Sequence, residues 1–115
     1  MVIEKKIKLR GSKGEKELTA VFDSGATYSC IRTEIAKELD TLLTAESDRQ
    51  IKAKSRVLLD FYINGYRFSD EFIVIENLSE DVIIGATTMQ KWRLKLDFEK
   101  EEVIIDPKVT KLRLL

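Results

Sequence analysis

Histidine is absent from this 115-residue chain, and cysteine and proline occur once each. Without imidazole, serine–histidine and cysteine–histidine nucleophile pairs are excluded, as is every metal site that needs histidine. The single cysteine, Cys30, excludes a thiolate zinc cluster and an internal disulfide, which fits a reducing compartment. As a nucleophile it is disfavoured, because no residue at hand would serve as its base. Also lacking is an excess of either charge: Lys plus Arg and Asp plus Glu number 20 each, so no nucleic-acid partner is expected. No stretch has the length and apolarity of a membrane span, and the start MVIEKKIKLR lacks a signal peptide's apolar segment. The expected location is therefore cytoplasmic, with no membrane partner. Carboxylate, lysine, tyrosine and hydroxyl chemistry remain, without metal or cofactor, and attention falls on the eight aspartates and twelve glutamates.

The length predicts one domain over 1–115, with a modest apolar core under a surface rich in charge. Residues 2–10 alternate apolar and charged, Gly11-Ser12-Lys13-Gly14 supplies a turn, and 16–22 resumes as a second strand. The glycines and Lys16 lack the spacing and following helix of a phosphate-binding loop, so a plain hairpin turn is expected. Thr33 reads as the N-cap of a helix in which Ile35, Ala36, Leu39, Leu42 and Leu43 recur at helical spacing. Residues 44–56 form a polar stretch expected to be mobile. Runs 57–63 and 66–75 meet at Asn64-Gly65, the strongest short hairpin signal in the chain. A short buried strand over 81–85, a helix over 86–92, a hairpin of 94–98 with 103–105 and a terminal strand over 109–115 complete the expectation. Strands at such spacing, with one or two short helices, predict an all-β small barrel or sandwich.

The informative block is Ala20-Val21-Phe22-Asp23-Ser24-Gly25-Ala26-Thr27. An apolar strand delivers a carboxylate to a tight turn with little bulk around it, and the glycine permits close backbone approach. Alone, an Asp-Ser-Gly triplet also makes ordinary turns. A second block, Asp81-Val82-Ile83-Ile84-Gly85-Ala86, follows 58 positions after Asp23.

Together the two blocks resemble the retropepsin family, the single-domain aspartic proteases of retroviruses and their cellular relatives. Val21-Phe22-Asp23-Ser24-Gly25-Ala26, with Ile31 beyond it, is similar to that family's catalytic loop, and Ile83-Ile84-Gly85 to its apolar-apolar-glycine motif before a C-terminal helix. The resemblance covers roughly 2–106 in order and spacing. It implies a small closed acid-protease-type barrel that is half of a two-fold dimer, with the two motifs interlaced in a loop threaded through the sheet. It further implies an aspartic endopeptidase in which two Asp23 carboxyls share one proton and activate a water against a peptide or protein substrate. Like charges in contact do not both ionise, so one titration of the pair is raised. No other aspartate is followed by the small-residue–glycine pattern, so the second Asp23 comes from a second copy. The same match makes Ser24, Gly25 and Ala26 supports of the catalytic loop. Gly25, Val21, Tyr28, Cys30 and Ile83 become substrate-lining residues, for which ordinary core packing is the alternative. Alanine at 26 offers no hydroxyl to the carboxylate, which predicts a pH optimum nearer neutrality than that of an acid-secreted relative.

The chain departs from retroviral members in two places. Thr27 and Ala86 stand where an aspartate and an arginine pair, and the candidate flap over 45–58 has no glycine and many charges. Residues 110–115 alternate in a way that suits an intersubunit sheet or a strand within the monomer. A catalytically silent peptide-binding dimer and an unrelated small β-protein, with Asp23 capping a turn, are the other readings.

Overall fold

The computed structural model of the chain describes residues 2–44 and 55–108. Among the described residues the elements follow in the order β1 Val2–Gly11, β2 Gly14–Asp23, β3 Cys30–Arg32, α1 Thr33–Leu39, β4 Leu43–Thr44, β5 Ser55–Ile63, β6 Tyr66–Ile75, β7 Val82–Ile84, α2 Ala86–Lys91, β8 Lys95–Asp97 and β9 Glu102–Ile104. The expected mobile segment falls mostly at 45–54, and that part, the flap tip and the terminal strand over 109–115 lie outside the described residues.

Local turn chemistry builds the hairpins. β1 and β2 pair antiparallel from Val2 opposite Asp23 to Gly11 opposite Gly14. β5 and β6 meet at Asn64 and Gly65, whose φ values of 50° and 83° are the left-handed pair a tight two-residue hairpin requires. The main sheet runs β1-β2-β7-β3-β6-β5-β4, and β1 pairs again with β5 through Leu9 opposite Phe61. That contact closes six strands into the small barrel that the sequence predicts. β8 and β9 form a separate ribbon.

Every second residue of the barrel strands turns inward. Ile3, Ile7, Leu9, Phe22, Ile31, Val57, Leu59, Phe61, Phe68, Phe72, Val82 and Ile84 are all buried in one core. Phe61 stacks on Phe68 with centroids 5.2 Å apart and meets Phe72 edge-on at 6.1 Å. α2 leads into Trp92, which packs edge-on against Phe68 and donates its indole N–H to the Ser69 carbonyl at 3.0 Å.

Two local expectations are corrected. Thr33 is the first residue of α1 and not its cap: Arg32 caps it in an extended conformation without a side-chain hydrogen bond. The Thr33 hydroxyl is buried with no hydrogen-bond partner among the described residues. The helix also stops at Leu39, so Leu42 and Leu43 lie beyond it and Leu43 begins β4. The cause is tertiary. Lys13 N–H donates to the Leu39 carbonyl at 2.9 Å, and the Asp40 carboxylate accepts the Ser12 hydroxyl at 2.6 Å and the Ser12 N–H at 3.0 Å. A β-carbon on Gly11 would lie 2.2 Å from that same Leu39 oxygen, so glycine is what lets the hairpin turn dock on the helix end.

The Ser12 hydroxyl, then its N–H, hold the Asp40 carboxyl below the ordinary carboxylate range. With the folded value lower than the unfolded one, this contribution is complete above about pH 5 and fades as acid protonates the folded carboxylate, below about pH 4. Asp40→Asn is therefore expected to lower stability by about 1 kcal/mol at neutral pH, with the gap to wild type narrowing below about pH 4. Urea melts across pH measure it; a gap that does not change with pH would contradict this account.

Candidate active site

Asp23 is the last residue of β2, half-buried, on the face opposite the core residue Phe22. Its carbonyl accepts the Ala26 N–H at 3.1 Å and its Oδ1 accepts the Gly25 N–H at 2.8 Å, so the carboxylate is fixed by its own turn. A β-carbon at Gly25 would lie 3.2 Å from Oδ1, close enough that the carboxylate would have to shift by a few tenths of an ångström. Ser24 is exposed at the rim of an 890 Å³ cavity between α2 and the β8–β9 ribbon.

The loop after Asp23 wraps around β7. β7 runs parallel to β2, with Val21 opposite Ile83, and antiparallel to β3, with Cys30 opposite Ile83. The apolar-apolar-glycine block thus lies between the strand that delivers Asp23 and the strand that leaves its loop. Gly85 is buried against that loop; an added β-carbon would meet the Tyr28 carbonyl at 2.6 Å and the Ala26 oxygen at 2.9 Å. At the start of α2, Ala86 N–H donates to the Ala26 carbonyl at 2.7 Å and Thr87 N–H to the Thr27 carbonyl at 3.0 Å. The Thr87 hydroxyl also donates to the Thr27 carbonyl, at 2.7 Å. Residues 26 and 27 are therefore tied to residues 86 and 87 through backbone amides and the Thr87 hydroxyl.

Behind this tie sits a buried polar pair that the sequence reading did not single out. Ser29 and Thr88 are 3% and 2% exposed, and their hydroxyls lie 2.5 Å apart. Ser29 Oγ also accepts the Gly85 N–H at 3.0 Å. Hydroxyl residues flanking both motifs were the only signal of this in the sequence. Below it, Arg32 pairs with the Asp81 carboxylate, donates to the Leu78 carbonyl at 3.3 Å and donates its N–H to the Asp81 carbonyl at 3.0 Å. The entry to β7 is thereby pinned to the exit of β3.

Of the expected substrate-lining residues, Val21, Ile83 and Cys30 are brought into one cross-strand row, on the Asp23 face. Val21 is 8% exposed and the other two half-buried. Tyr28 lies off the row, on the loop, 59% exposed beside a separate cavity. Among the described residues no group of three or more His, Cys, Asp or Glu could hold a metal ion. No helix among them is long and apolar enough to cross a membrane.

A carboxylate held at a strand-ending glycine turn, laced through an apolar-apolar-glycine strand in a closed six-stranded barrel, defines a retropepsin-like fold. Solved structures agree. The chain is similar to the retroviral protease-like domain of Ddi1 from Leishmania major, at 19% identity over 92% of this chain and 90% of that one, with a TM-score of 0.68. It is similar to EIAV protease complexed with the inhibitor HBY-793, at 13% identity over 85% and 94% of the two chains, with a TM-score of 0.62. A retropepsin-like aspartic protease from Rickettsia conorii matches at 16% identity over 84% and 88%, with a TM-score of 0.51. No protein-family model and no curated protein sequence matches the chain.

Removing the Ser29 hydroxyl strands both the Gly85 N–H and the Thr88 hydroxyl in a buried place. Ser29→Ala is expected to cost about 1–3 kcal/mol in a denaturant melt, while Ser29→Thr, which keeps the oxygen, loses much less. Equal losses from the two substitutions would refute the role given to the hydroxyl.

Proposed function

We propose that the chain, one domain over 1–115, is a homodimeric aspartic endopeptidase whose catalytic groups are Asp23 and the Asp23 of a second copy. The observation that carries this reading is the seating of Asp23: half-buried, fixed by the Gly25 N–H, and delivered by a strand laced against β7. No other aspartate in the chain has the small-residue–glycine sequel, so a symmetric partner is the source of the second carboxyl. The proposed chemistry is water attack. One carboxyl of the pair is neutral and donates to the scissile carbonyl oxygen; the ionised one takes a proton from water as its oxygen bonds to the carbonyl carbon. That proton then passes to the amide nitrogen as the C–N bond breaks. Ser24 and Ala26 support the loop, Gly25 offers backbone to the substrate, and Val21, Cys30, Ile83 and Tyr28 contact its side chains. A cytoplasmic location suits the single cysteine.

A second reading keeps fold and dimer but not catalysis, as a peptide-binding module; the absence of glycine over 45–58 favours it. Sedimentation with a cleavage assay separates the two. For the protease, a dimer cleaves a denatured protein or peptide library, a pepstatin-like inhibitor blocks it, and Asp23→Asn abolishes cleavage while leaving the thermal melt within a few degrees of wild type. Dimer without cleavage selects the binding module, and a stable monomer removes both.

The Ala26 side chain offers the carboxylate no donor. Ala26→Ser is expected to move the acid limb of the rate–pH profile to lower pH, because a hydroxyl donor favours the charged form. An unmoved acid limb in that variant would refute the assignment.

A further inference from the structure

The row begun by Val21, Ile83 and Cys30 does not end there. Cys30 is paired with Ile73 of β6, and Ile73 with Arg56 of β5. Cross-strand partners share a face, so one line of side chains crosses five strands on the face away from the core. At about 4.8 Å per strand it spans about 19 Å, the reach of roughly six residues of extended peptide. Asp23, two residues beyond Val21 on the same strand, sits on the same face at one end of the line. Between the ends the line is apolar and half-covered, neither core nor open surface.

The far end opens into a 400 Å³ cavity between Tyr28, Ile73, Arg56, Asp70, Glu71 and Thr87. Glu71 stands on the outer face and is paired with Arg56, whose Nη1 lies 3.0 Å from Glu71 Oε1. Asp70 is opposite the buried Leu59, its Oδ1 accepts the Glu71 N–H at 2.8 Å, and Lys91 Nζ approaches it at 3.5 Å, so its charge is already met. The ion pair of Glu71 and Arg56 offers a partner to either sign of charge, and the exposed ring of Tyr28 breaks the tie. The face of that ring stabilises a guanidinium or ammonium and repels an anion.

Resting on the protease reading, we propose that this row is the floor of a groove for an extended peptide, and that its far cavity selects a lysine or arginine of that peptide. Glu71 and Tyr28 are the specificity-determining side chains, and Arg56 moderates the preference by occupying Glu71.

The test is a binding measurement on the full chain carrying Asp23→Asn, so that no peptide is consumed. Fluorescent decapeptides of one apolar sequence carry a single Lys, or a single Glu, walked along the chain, and anisotropy gives their affinities. The expected result is one position where Lys binds about five- to tenfold tighter than Glu. Glu71→Lys should remove or reverse that preference, and Arg56→Gln should enlarge it, each read as the ratio of Lys-peptide to Glu-peptide affinity within the variant. Both sites are on the barrel's outer face, and Tyr28→Ala, on a loop, should weaken the Lys preference if either strand variant folds poorly. A flat profile, a Glu preference, a Lys preference that survives Glu71→Lys, or no peptide binding overturns the proposal. Cleavage by wild-type chain decides the other reading independently. Binding with the charge preference but no cleavage removes the protease and keeps the groove, whereas cleavage with a flat charge profile removes only the groove's selectivity.

Discussion

The three-residue strand β7 and the glycine that ends it are what the arrangement around Asp23 depends on. Val82 and Ile84 are buried core residues, while Ile83 between them turns to the outer face and is half-buried, so one short segment is anchored inside and contributes to the face outside. Because β2 pairs with one edge of β7 and β3 with the other, the loop that joins β2 to β3 must arch over the end of β7. Gly85 lies under that arch. Any side chain there would collide with the backbone carbonyl of Tyr28, and the two amides that bond to Ala26 and Thr27 would lose their register. The position of the carboxylate is thus set by core packing of β7, relayed through backbone hydrogen bonds.

What holds the arch is hydroxyl and amide chemistry. A buried ion pair must recover the large desolvation of two charges, and losing either partner leaves the other stranded. A serine and a threonine sharing a hydrogen bond, with the serine accepting a backbone N–H, carry a smaller desolvation cost and add no net charge under the arch. The charged pair that does exist, Arg32 with Asp81, sits at the opposite end of β7, where it closes the entry to the strand.

The sequence disclosed what local chemistry decides. Asn64-Gly65 and Gly11 to Gly14 specify their turns through left-handed or side-chain-free positions, and alternation over 2–10 names the inward residues. The two motif blocks were legible only together, through their resemblance to the retropepsin family, because Asp-Ser-Gly alone also makes ordinary turns. Helix limits were not legible. Leu42 and Leu43 fit a helical period, but Ser12, 28 residues before Asp40, and its neighbour Lys13 take over Asp40 and the Leu39 carbonyl and end the helix there. The row reaching Ile73 and Arg56 was also invisible, because parallel pairing of a three-residue strand with β6 leaves no mark within either segment. Nor could Tyr28 be separated from Cys30 and Val21 as a lining residue: alternation breaks in the loop, and only the folded arch shows that Tyr28 leaves the row.

Closure of the barrel explains why such a line of side chains can be continuous at all. An open sheet of this order would leave β1 at one edge and, at the other, the part of β5 beyond the two-residue β4, and twist would carry Arg56 away from the plane containing Asp23. Pairing of Leu9 with Phe61 joins β1 to that open part of β5, and the aromatic cluster of Phe61, Phe68 and Phe72 fills the space beneath β5 and β6. The outer face of those strands is then as fixed as the core behind it. Packing that keeps the barrel closed therefore also sets the distance between the carboxylate and the charged cavity. Selection at one end and reaction at the other would share a single rigid floor, with the tuning left to exposed side chains such as Glu71 and Tyr28 that the core does not constrain.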